Sequence, residues 1–179
     1  MKFAVHAVLG LSLVAGAPAF AAPAASPAQA AAVNPAHVKA VQDLLAAMQI
    51  EKVLKGVAAR SRYPSEAQRK EVFDKLGRTA PAEVYQRMAT PLAHVISADT
   101  ATEMARFYNT PYGKKVIYGK YNSGSQLMMP GMKPVVPPEE KKERKRAAYV
   151  NASKELAAAQ PAIESEAFKL LQQINKEKR

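Results

Sequence analysis

Apolar residues recur along this chain at helical spacing. Val38, Val41, Leu44, Leu45 and Met48 mark one face of a helix, and Ile50, Val53, Leu54 and Val57 continue it with a shift in phase. The shift predicts one long helix or two short ones with a break near Gln49. Asn34-Pro35 opens the segment, since Asn accepts from free N–H groups and Pro fits the first turn. A second helix is expected in "YPSEAQRKEVFDKLG", capped by Ser65 with Gln68 as its reciprocal partner and stopped by Gly77. A third begins at Pro81 and carries Val84, Tyr85, Met88, Leu92 and Val95, with Pro91 kinking or splitting it. Ser97 caps a fourth, with Asp99 in its first turn and Met104, Phe107 and Tyr108 as its apolar stripe. Beyond Pro137-Pro138, "EEKKERKRAAYVNASKELAAAQ" is helical in composition. Pro161 begins or kinks the last segment, where Ile163, Ala167, Leu170, Leu171 and Ile174 form one face. No segment sustains period-two alternation with β-branched residues. The pattern predicts an all-α fold: one compact bundle of about five to seven helices, with a flexible N-terminal lead-in and a basic C-terminal helical extension.

The fourth helix runs into "FYNTPYGKKVIYGKY", Phe107 to Tyr121, rich in aromatics and lysines and free of acids. A phosphate-binding loop is excluded by spacing. Tyr108 stands where its first glycine belongs, and Lys115 where the magnesium-binding Ser or Thr belongs. A corner between helices fits: Asn109 ends the fourth helix, Thr110 caps a fifth, and Pro111 takes its first turn. Tyr112, Val116 and Gly119 then share one side, and Gly113 admits a neighbouring backbone.

"MARFYNTPYGKKVI" resembles the signature of a family of small exported bacterial helical proteins, one catalogued as a domain of unknown function. The pattern F-Y-x-[ST]-P-x-G-[KR]-K falls on Phe107, Tyr108, Thr110, Pro111, Gly113, Lys114 and Lys115. "VQDLLAAM" is similar to the family's first helix, and the resemblance spans Val38 to Lys120. Relatives commonly carry an acidic residue early in the fourth helix, at about the position of Thr100, whereas here acidity sits at Asp99 and Glu103. The basic C-terminal part lies outside the shared region. The resemblance implies a periplasmic helical domain and no particular activity.

The N-terminus reads as an export signal: Lys2, an apolar run "FAVHAVLGLSLVAGA", then Ala19-Phe20-Ala21 with cleavage expected after Ala21. The expected organisation is a signal peptide over 1–21, a flexible Ala/Pro-rich segment over 22–33 and a helical domain over 34–122. A Gly/Pro/Met-rich connection over 123–138 and the C-terminal helical extension over 139–179 complete it. No later segment reaches spanning length, so the mature chain is expected in the periplasm without a transmembrane span. The absence of cysteine excludes a lipoprotein anchor, disulfides, thiolate catalysis and Cys-ligated zinc. Net charge is +11, and +10 once Lys2 leaves with the signal, a field that attracts anions.

The candidate anion-binding residues are Lys114, Lys115, Tyr118, Lys120 and Tyr121, a basic-aromatic combination that grips phosphates and stacks on bases. Residues 114, 118 and 121 follow the i, i+4, i+7 spacing of one helix side. The alternative is a solvated face with half-packed tyrosines. His94, Asp99 and Glu103 form the one local His-carboxylate cluster, but Asp99 suits the helix start and Glu103 suits a pair with Arg106. "KKERKR", Lys141 to Arg146, reads as a solvated helix surface or an anion contact. Leu127, Met128, Met129 and Met132 suit an adaptable apolar contact or a loop over the core. No catalytic, cofactor or metal ligand is assigned, and no cofactor is expected. The expected function is non-enzymatic binding or interaction. The alternatives are a peripheral binder of an anionic polymer or membrane surface, and a hydrolase using carboxylates or His94.

Overall fold

The computed structural model describes residues 34–122 and 136–177. The expected signal peptide, the Ala/Pro-rich segment and the methionine cluster lie outside these residues. The described residues form nine α-helices and no strand. They are α1 Pro35–Ala47, α2 Ile50–Arg60, α3 Glu66–Arg78, α4 Pro81–Leu92, α5 Ala98–Asn109, α6 Pro111–Asn122, α7 Pro138–Glu143, α8 Ala147–Ala158 and α9 Gln160–Lys176.

Local signals explain several of the boundaries. Asn34 Oδ1 accepts from the Ala36 N–H at 2.9 Å, Ser65 Oγ from Gln68 at 3.2 Å and Ser97 Oγ from Thr100 at 3.3 Å. The break at Gln49 makes two helices, with Gln49 itself left-handed at φ 51°. Pro91 lies inside α4, one residue before its end. The chain then turns, so Ile96 is buried while Val95, which helical phase would place inside, is 47% exposed.

Three expectations are corrected. Gly77 does not stop its helix: α3 continues through it to Arg78 and ends at Thr79, whose hydroxyl donates to the Lys75 carbonyl at 2.9 Å. The helix count exceeds seven because the basic segment is divided at Arg144–Arg146 into α7 and α8. No Gly or Pro marks that turn. Arg146 is extended there, and its guanidinium reaches Glu103 on α5 at 2.6 Å and Glu143 at 2.8 Å. Finally, the described residues of the expected C-terminal extension, 139–177, are no appendage. α8 packs on α5, and α9 packs on α2, α3 and α4. Ile163, Ala167, Leu170, Leu171 and Ile174 are buried in one cluster with Leu44, Leu54 and Met88.

The core is therefore built on α1, which lies against α4 and α5, and closed by the C-terminal helices. Lys75 is 5% exposed within it. Its ammonium donates to the Asn175 carbonyl at 2.9 Å and pairs with Glu71 at 2.8 Å, a cation satisfied at the C-terminal end of α9. Among the described residues, no helix is long and apolar enough to cross a membrane.

Candidate functional site

The α5–α6 corner is held by one side chain and one missing one. Thr110 Oγ1 donates to the Phe107 carbonyl at 2.7 Å and accepts from the Gly113 N–H at 2.9 Å. It thereby satisfies a spare acceptor of α5 and a spare donor of α6. Gly113 faces the Phe107 and Tyr108 backbone, where any β-carbon would collide. The close turn gathers rings. Phe107 lies 5.3 Å from Tyr108, 6.1 Å from Tyr112 and 4.8 Å from Tyr149 of α8, centroid to centroid.

The helical repeat sorts α6 into three stripes. Gly113 and Ile117 are buried, and half-buried Tyr121 continues their line, its hydroxyl donating to the Met48 carbonyl at 2.8 Å. Lys114, Lys115 and Tyr118 face outward, Tyr118 being 69% exposed. Tyr112, Val116 and Lys120 line a cleft. The five candidate anion-binding residues are thus not one surface. Three point outward, Lys120 turns to the cleft, and Tyr121 is tied to the end of α1. Lys115 also reaches a neighbouring hollow of about 280 Å³, shared with Lys142, Glu139 and Glu143.

The cleft has a volume of about 300 Å³ and lies between the corner, α7 and α8. Met48, Met104 and Leu156 contribute apolar floor, Tyr108 and Tyr149 aromatic wall, and Lys120, Glu140 and Gln160 polar positions. Burial, followed by the hydrogen bond to Glu140, pushes the Tyr112 hydroxyl up to about 12. Burial pushes Tyr108 up to about 12 as well, so both rings keep their protons at neutral pH. The Tyr112 hydroxyl donates to Glu140 Oε2 at 2.9 Å, while Arg144 holds Oε1 at 2.5 Å. The Arg144 hydrogen bond first, and Tyr112 second, hold the Glu140 carboxyl below its ordinary range. Sequence reasoning missed Tyr149, Leu156 and Met48 here, because they join the corner only through tertiary packing. The period-four run Tyr112, Val116, Lys120 was the available signal.

Ion pairs take up Glu103 of the His-carboxylate cluster and Glu143 beside it. Glu103 pairs with Arg106 at 2.7 Å and Arg146 at 2.6 Å, and Glu143 with the same arginines at 2.6 and 2.8 Å. The Arg106 hydrogen bond is the main cause that keeps the Glu103 carboxyl below its ordinary value. Arg144 and Arg146 of the basic run are thus engaged, whereas Lys141, Lys142 and Lys145 are exposed. His94 is exposed, and Asp99 lies in the first turn of α5. His37 Nε2 contacts the Ile96 carbonyl at 2.7 Å. Among the described residues, no three His or acidic side chains converge as a metal-holding group. A further hollow beside Ser97 and Asn151 contains Glu155, which accepts from the Ser97 N–H at 2.6 Å, its hydroxyl at 3.0 Å and the Thr100 hydroxyl at 2.8 Å. No family model, no curated protein and no solved structure matches this chain.

Proposed function

We propose that this chain is an exported, non-enzymatic binding protein whose site is the cleft behind the α5–α6 corner. One observation carries the reading. A cleft of about 300 Å³, within the size range of small-ligand sites, has an apolar floor, aromatic walls and polar groups at its Lys120, Glu140, Ser153 and Gln160 positions. The motif from Phe107 to Lys115 builds that wall, and on it we also propose membership of the family it resembles. Of the groups open to the hydrolase alternative, the Glu103 carboxylate is held by Arg106 and Arg146, whereas His94 and Asp99 lie exposed outside the cleft.

The test uses a neutral aromatic probe, benzyl alcohol, and the methyl resonances of Met48 and Met104. Saturable shifts are expected in the native chain. They should vanish in Ala157→Phe, which fills the cleft from an exposed position. Absence of saturable shifts in the native chain would exclude the cleft as a binding site.

The second reading, peripheral binding to an anionic polymer or membrane surface, is favoured by Lys114, Lys115 and exposed Tyr118 on the outer side of α6. It is checked by vesicle flotation at low and physiological salt. Replacing Lys114 and Lys115 by Gln should abolish any such retention.

A further inference from the structure

The polar groups around the cleft are unequally committed. Glu140, its acid, already accepts from Arg144 and from the Tyr112 hydroxyl. Lys120, its base, has no acidic partner among the described residues; its ammonium lies 5.8 Å from the centroid of the Tyr121 ring. An incoming cation finds no spare carboxylate, whereas an incoming anion finds an ammonium with no acidic partner among the described residues. Tyr108 and Tyr149 add hydroxyls that have no hydrogen-bond partner among the described residues. Below them lie Met104 and Leu156, at 2% and 5% exposure, offering apolar contact. The volume is at the lower end of ligand sites, suited to one ring with a short chain rather than to a diacyl lipid or a folded partner.

Resting on the binding reading above, we infer that the cleft takes a free small-molecule carboxylate with an apolar or aromatic body. Lys120 receives the carboxylate, and the body lies over Met104, Val116 and Leu156. The charge-assisted contact supplies selection, and the apolar floor supplies affinity. Lysines on the outer stripe of α6 take no part.

Isothermal titration of the full chain with 3-phenylpropanoate and its neutral amide tests the inference. The acid should bind on the order of tenfold more tightly than the amide. That preference should disappear in Lys120→Gln and persist in Lys114→Gln, with circular dichroism unchanged in both. Equal binding of acid and amide would overturn the carboxylate assignment while leaving the cleft a binding site. So would a preference that survives Lys120→Gln. Failure of both probes where benzyl alcohol shifts the methionine methyls would overturn it too. If phosphatidylglycerol vesicles retain the protein through Lys120 and 3-phenylpropanoate does not compete, the anion is a lipid headgroup and the inference fails.

Discussion

The carbonyl oxygen of Phe107 stands 2.0 Å from the point a Gly113 β-carbon would occupy, and the Tyr108 α-carbon 2.7 Å from it. Both obstacles are backbone, so no side-chain rotation relieves them. Gly113→Ala is expected to force α6 away from α5 and to cost about 1–3 kcal/mol. Thermal melting checks this, and an unchanged midpoint would mean that the corner is loosely packed. Because the corner also shapes the cleft wall, the same variant should weaken binding of benzyl alcohol.

Gln49 carries the left-handed turn between α1 and α2, with φ 51° and ψ 53°. It is the one positive-φ residue other than glycine among those described. A side chain is strained in that conformation, and Gly is not. Gln49→Gly is expected to gain about 0.5–1 kcal/mol in denaturant unfolding. A loss of stability would show that the glutamine side chain contributes more than the strain it causes.

Glu155 reaches from α8 to the N-terminal end of α5. Burial acts to raise its carboxyl, but the hydrogen bonds from Ser97 and Thr100 outweigh it, so the group titrates below its ordinary value of 4.5. A folded-state value below the unfolded one gives stability that is present above about pH 4.5 and lost as pH falls through the lowered value. Glu155→Gln is expected to cost about 1–2 kcal/mol at pH 7. It should also flatten the acid limb of the stability profile, measured by urea unfolding between pH 7 and pH 3. An acid limb as steep as that of the native chain would assign the acid sensitivity to other carboxylates.

Tyr121 gives the opposite sign. Burial, with the negative charge of Glu51 adding to it, pushes its phenol up to about 12 from an ordinary value of 10.0. The raised value makes its contribution complete below pH 10 and lost as pH climbs towards 12. Spectrophotometric tyrosine titration should show a late-ionising group whose deprotonation coincides with falling helical circular dichroism. Tyr121→Phe, which removes the donor to the Met48 carbonyl, should cost about 1 kcal/mol at neutral pH and make the alkaline decline shallower.

What the sequence shows plainly is whatever is decided within a turn or two. The caps at Asn34, Ser65, Ser97 and Thr110, and the buried face of α9, are local patterns of hydroxyl, amide and apolar positions. The division at Arg144–Arg146 was illegible, because its ion pair joins residues 43 positions apart. Gly77 misled, since a glycine ends a helix only when the chain also turns there, and the extended backbone comes two residues later at Thr79. The lysines and tyrosines of α6 were visible as types. Which of them faces water, cleft or core depends on α1, α7 and α8, whose placement no local pattern carries.

The contact between Lys75 and the Asn175 carbonyl spans 100 residues and ties α3 to the end of α9. α9 is synthesised after α2, α3 and α4, yet it covers all three. The growing chain therefore carries an unsealed apolar surface until α9 is made, and completion of this core waits for α9 to arrive. Chains interrupted before Gln160 are left with that surface open, which makes them clients for chaperones and proteases rather than shortened versions of the folded protein.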